Sequence, residues 1–89
     1  MEKINIVEIL VKYTGENIRI KQEGFLQAQY EIQKMNYQHQ GDLLKINSIQ
    51  NENYIELNLN QIHKIEEIEN GIKIYMDNDT IIKIKGTLL

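Results

Sequence analysis

Eighty-nine residues, 42% of them hydrophobic and 26% charged, make one globular domain with a single core and leave no room for a cleft between two domains. The absence of cysteine removes disulfides, thiolate metal sites and a cysteine nucleophile together. The net charge of −3 is unevenly spread: residues 1–51 balance six acids with six bases, residues 52–79 set seven acids against Lys64 and Lys73, and Lys83 and Lys85 follow. An acidic run of that kind counts against a simple DNA- or RNA-binding function, in which basic side chains neutralise phosphates.

Isoleucine dominates the apolar residues, and β-branched side chains suit a pleated, half-buried surface better than a helix. A β-rich fold is the expectation. The opening MEKINIVEILVKY interrupts its apolar run with acids and has no small-residue cleavage site. No window reaches the roughly 20 apolar residues of a membrane span. A soluble, cytoplasmic protein without a membrane partner is expected.

In chain order, Ile4 to Tyr13 reads two ways: Ile4, Val7 and Val11 share a helical face, while Val7, Ile9, Val11 and Tyr13 alternate as a strand would. We read a short amphipathic helix ending before Gly15, because a glycine just past the last periodic residue is a common helix stop. Turn residues Thr14 to Asn17 lead into an alternating strand at Ile18 to Lys21. Phe25 to Gln40 admits both a helix, with Phe25, Ala28, Ile32, Met35 and His39 as its stripe, and a bent strand. In the strand reading Leu26, Ala28, Tyr30 and Ile32 share one face, and Met35, Tyr37 and His39 resume after a one-residue shift near Gln33-Lys34, as at a β-bulge. The strand is preferred because Asp42 to Asn47 resembles its hairpin partner across Gln40-Gly41.

The most regular stretch is Tyr54 to Met76, whose apolar residues at Ile55, Leu57, Leu59, Ile62, Ile65, Ile68, Ile72, Ile74 and Met76 mark the centre of an antiparallel sheet. Leu44 to Ile49 and Tyr54 to Leu59 form a hairpin across Gln50 to Asn53. Asn70-Gly71 is the strongest turn signal and is expected to join Ile65–Ile68 to Ile72–Met76. Asp77-Asn78-Asp79 then turns the chain into a last strand, Thr80 to Lys85. Four or five consecutive antiparallel strands result. With no proline to guard an edge strand, a homodimer formed through a strand edge is a natural expectation, and Thr87-Leu88-Leu89 supplies apolar residues for covering a surface.

No set of residues assembles a nucleophile, base and orienting group, so an enzyme is not expected, nor a cofactor. His63 with Glu66 and Glu67 is the one histidine and carboxylate grouping, and His39 is isolated; a metal site needs three or four converging ligands, so no metal is expected. Asp77-Asn78-Asp79 lacks the glycine and the distal glutamate of a calcium loop, having Ile82 and Leu88 there, and is read as a turn. Ser48 has no base spaced near it. The acids Glu52, Glu56, Glu66, Glu67 and Glu69 are the most directional feature and are read as a partner-binding acidic face, and Tyr37, beside His39 and several glutamines, is the aromatic expected to be exposed for partner binding. A solvated sheet face is the plainer reading of the same acids.

The run from Gly41 to Ile68, GDLLKINSIQNENYIELNLNQIHKIEEI, resembles the closing hairpin of Sm-like small barrels, as in WYL domains and the Rho-inhibitor family: a strand, a polar turn, then an alternating strand ending in Leu59, Ile62 and Ile65. The basic ligand-contacting residues typical of WYL domains have no evident counterparts. The resemblance implies a barrel-like fold. The fold expected is therefore mainly β, a strongly bent antiparallel sheet or partly closed small barrel with a short N-terminal helix. The function expected is non-enzymatic: a small intracellular inhibitor or adaptor docking on a larger protein, such as a nucleic-acid-handling complex, through the acidic segment. In size, charge and composition the chain is similar to phage-encoded inhibitors of host defence, anti-CRISPR proteins among them. The alternative is an Sm-like RNA-binding oligomer subunit using the Lys and Tyr residues between Arg19 and Lys45.

Overall fold

A computed structural model describes residues 6–24, 27–77 and 79–86. Helix α1 (Ile6–Val11) turns its buried Ile6, Ile9 and Leu10 into the core. It ends in tight turns, with Lys12, Tyr13 and Thr14 donating to the carbonyls three residues back, before Gly15 takes a φ of +84°. The expected helix thus forms. The positions proposed for Ile4, Phe25, Leu26, Asn78 and Thr87-Leu88-Leu89 lie outside the described residues.

Among the described residues eight antiparallel strands follow: β1 (Ile18–Glu23), β2 (Ala28–Ile32), β3 (Met35–Gln40), β4 (Leu43–Ser48), β5 (Tyr54–Asn58), β6 (Ile62–Ile68), β7 (Gly71–Met76) and β8 (Ile81–Gly86). They form two sheets. One has five strands in the order β2-β1-β8-β7-β6, and the other three in the order β3-β4-β5. The chain crosses between them twice. At the first corner β2 becomes β3 across Gln33 and Lys34, with Lys34 at a φ of +52°. Ile32 and Met35 on either side are both fully buried, so the shift in alternation that suggested a bulge is a change of sheet. At the second corner a 3₁₀ turn, Leu59–Gln61, leads β5 into β6, capped by the Asn58 side chain accepting from the Asn60 amide at 2.9 Å.

The fold is mainly β as expected, with no closed barrel among the described residues. Leu59, Ile62 and Ile65, which carry the likeness to Sm-like barrels, occupy the second corner and the strand beyond it; Ile65 stands opposite the fully buried Ile74. Ala28–Ile32 and Met35–Gln40 are strands, not a helix, because alternation lets Ile32 and Met35 reach the core from either side of the corner.

One turn differs from expectation by a residue. Ile68 pairs with Gly71, so the tight β6–β7 turn is Glu69-Asn70, and Asn70 alone supplies the positive φ, at +60°. Gly71 belongs to the strand. A Cβ there would overlap the Ile84 carbonyl oxygen and lie 3.0 Å from its carbon, so the glycine is required by the close approach of β8 and not by turn geometry.

The core lies between the sheets. Ile18, Ile20, Ile72, Ile74, Ile82 and Ile84 face inward from the five-stranded sheet, and Met35, Leu44, Ile46 and Leu57 from the three-stranded one. Burying each of these side chains contributes about 1.5–3 kcal/mol. Along β1, β7 and β8 the buried isoleucines alternate with Arg19, Lys21, Lys73, Lys83 and Lys85, so burial of the core sets which side chains the outer face carries.

Candidate functional site

The outer face of the five-stranded sheet is read directly from its pairing. Opposed residues on neighbouring strands point to the same side of a sheet, so the register defines rows. One row runs Glu66, Lys73, Lys83, Lys21 and Gln29 across β6, β7, β8, β1 and β2. On one side of it lies a row with Lys64, Tyr75, Ile81 and Glu23, and on the other a row with Gly71, Lys85, Arg19 and Glu31. Among the described residues six basic side chains stand on this face with three acids, making it net positive in a chain of net charge −3.

Each of the three carboxylates is engaged. Glu31 accepts from Arg19 at 3.0 Å. Glu23 bridges two lysines of neighbouring strands, Lys21 at 3.4 Å and Lys83 at 3.5 Å. Lys83 first, then Lys21, holds the Glu23 carboxyl below the ordinary glutamate range. Glu66 accepts the Tyr75 hydroxyl and lies 3.9 Å from Lys64; the Tyr75 hydrogen bond leads in lowering its carboxyl. Lys64 and Lys73 sit 5.6 and 5.0 Å from the centre of the Tyr75 ring, within cation–π reach. Lys73 is held above its ordinary range, by Tyr75 first and Glu66 further down. Lys64, Lys73, Tyr75 and Glu66 therefore form one ordered cluster at the β6–β7 end of the face.

The acids proposed as one patch are dispersed. Glu52 lies in the β4–β5 loop and Glu56 on β5 opposite Lys45, both on the three-stranded sheet. Glu66 and Glu67 are adjacent on β6 and so project to opposite sides, Glu66 beside Lys73 and Glu67 opposite Ile72. Glu69 is exposed in the β6–β7 turn. Tyr37 is half-buried against the core, on β3 opposite Ile46. His63 is 3.9 Å from Asp77, and His39 is on the other sheet. No three histidine, aspartate or glutamate side chains gather as a metal site among the described residues.

From sequence, Arg19 and Lys21 have a role only in the RNA-binding alternative and Lys64, Lys73, Lys83 and Lys85 have none, so that these cations share one face was missed. Arg19, Lys21, Lys64, Lys73, Lys83 and Lys85 span most of the chain and meet through sheet order. The signal was the parity of each cation within its strand: Arg19, Lys21, Lys73, Lys83 and Lys85 each stand next to a buried isoleucine, and Lys64 next to the half-buried Ile65.

Ser48, 8% exposed, has a structural task. Its hydroxyl donates to the Gln33 carbonyl at 2.6 Å and accepts from the amides of Gln50 and Asn51, each at 3.0 Å, tying the β4–β5 loop to the first corner.

No protein-family model, curated protein or solved structure matches the chain. Fold and face together describe a small two-sheet β domain with an N-terminal helix and one net-positive sheet face. No helix among the described residues is long and apolar enough to cross a membrane.

Proposed function

We propose that the protein is a non-enzymatic protein-binding module, an inhibitor or adaptor, that docks the outer face of its five-stranded sheet on an acidic surface of a larger protein. The observation that carries this reading is the row Lys73, Lys83 and Lys21. Like charges directly opposite on neighbouring strands destabilise a sheet, and here two such oppositions adjoin. Glu23 offsets part of the repulsion from one side, and carboxylates of a partner would offset the rest. Relative to the acidic face expected from sequence, the docking charge changes sign while the function class stays the same.

A protein partner fits this face better than RNA. Glu23, Glu31 and Glu66 are interleaved with the lysines, and each would repel a continuous phosphate backbone. The Tyr75 ring is flanked by two lysines and its hydroxyl is held by Glu66, so it does not present a free platform for a base. Mixed charge with a net sign is what a complementary protein surface reads.

The test is capture from native-host lysate with and without nuclease, comparing the wild type with the Lys21→Glu, Lys73→Glu, Lys83→Glu triple variant. A stoichiometric protein that survives nuclease and is lost with the triple variant supports the reading. Capture that collapses on nuclease treatment would instead favour RNA binding.

A further inference from the structure

We infer that β3 is a self-pairing edge and that two copies of this chain join through it as an antiparallel, two-fold pair centred on Gln38. Free strand edges invite pairing with another chain, and proteins usually blunt them with charge, proline or a bulge. The edge strands β2, β5 and β6 carry Glu31, Glu56 and, on β6, Lys64, Glu66 and Glu67 with a register irregularity between Ile62 and Lys64. β3, Met-Asn-Tyr-Gln-His-Gln, carries no acid, lysine, arginine, proline or irregularity, and it is six residues long.

The register follows from which backbone groups face outward. Met35 turns its amide and carbonyl away from β4, donating to Glu16 and accepting from Gly15, both at 2.8 Å. Its β4 partner Ser48 turns its own amide the other way, to Asn53 at 3.1 Å. Antiparallel pairs alternate, so Tyr37 and His39 also point their amides and carbonyls outward, and among the described residues no backbone group meets them. Met35 is occupied by the α1–β1 loop, which leaves two free residues. An antiparallel copy satisfies both only by setting Tyr37 opposite His39 of the second copy, and the reverse, giving four backbone hydrogen bonds.

That register places Gln38 opposite Gln38 and Asn36 opposite Gln40, with no like charges facing. Gln38 becomes a non-hydrogen-bonded pair with itself, in which the two Cα atoms are about 4.5 Å apart. That separation falls within the range a disulfide spans. The contact is a single strand edge, so the dimer is a weak, concentration-dependent one.

The chain has no cysteine, which makes crosslinking a direct test. Gln38→Cys and Asn36→Cys are exposed to mild oxidation at high protein concentration, with sedimentation equilibrium run on the wild type and on His39→Pro. His39 is exposed and its amide faces outward, so proline there removes intermolecular hydrogen bonds without breaking the β3–β4 ladder. The expected result is rapid disulfide dimerisation of Gln38→Cys, at least tenfold faster than Asn36→Cys, with a wild-type dimer that His39→Pro abolishes. Equal crosslinking at the two positions, or self-association unaffected by His39→Pro, would overturn the register, and a wild type monomeric at all concentrations would overturn the dimer.

Discussion

Lys73 on β7 and Lys83 on β8 stand directly opposite one another on the outer face of the five-stranded sheet, and Lys83 stands opposite Lys21 on β1 in turn. Three lysines in one row on neighbouring strands is an arrangement that folding alone does not favour. Replacing Lys83 by glutamate converts both oppositions into attractive pairs, which outweigh the conversion of its single 3.5 Å contact with Glu23 into a like-charge one. We expect Lys83→Glu to stabilise the isolated protein by about 0.5 kcal/mol, within the range of cross-strand charge pairs. Urea denaturation should show a raised midpoint at unchanged slope.

Gly71→Ala should be among the most damaging substitutions in the chain. The added methyl meets the Ile84 backbone, which cannot swing aside as a side-chain end could. Separation of β7 from β8 in the middle of the larger sheet is expected to cost about 3 kcal/mol or more, in the range that named steric mechanisms produce. Thermal unfolding measures it directly. Asn70→Gly, at a φ of +60°, should by contrast be nearly neutral apart from the loss of the 2.7 Å bond from the Asn70 side chain to the Gly86 carbonyl.

Ser48→Ala removes one donor and one shared acceptor from a nearly buried site, leaving the Gln33 carbonyl and two loop amides to find other partners. A loss of about 1–3 kcal/mol is expected. Faster amide exchange should be confined to the β4–β5 loop and the first corner, because no other element leans on that hydroxyl.

The carboxyls of Glu66 and Glu23 are both lowered in the folded protein, by the Tyr75 hydrogen bond and by Lys83 respectively. A lowered carboxyl contributes stability above the unfolded-state value, and that contribution is lost as pH falls through the folded-state value. Stability should therefore decline on acidification through and below the ordinary glutamate range. Glu66→Gln should flatten that decline in a pH series of denaturation curves.

Much of the architecture was legible because burial follows alternation. The isoleucines of Ile72 to Ile84 and the polar Gln50–Asn53 loop defined strands whose bounds differ from the observed ones by a residue or so. The Asn70-Gly71 pair misled by one position, since a glycine needed for strand proximity looks in sequence like a glycine needed for a turn. The shift at Gln33-Lys34 was visible, but a bulge within one sheet and a corner between two sheets leave the same trace in alternation. The charged face was hidden for a different reason. Summing charge along residues 52–79 mixes Glu66 with Glu67, which face opposite ways, and separates Lys73 from Lys21, which the order β1-β8-β7 brings into one row. Charge adds along the chain, whereas a partner meets it across the strands.

The most direct test of the account uses Lys83→Glu alone, measuring folding stability and partner capture on the same preparation. Opposite movements are expected: a higher unfolding midpoint and at least tenfold weaker capture of the nuclease-resistant partner. Capture that equals the wild type in a variant shown to be folded would contradict the proposed docking face.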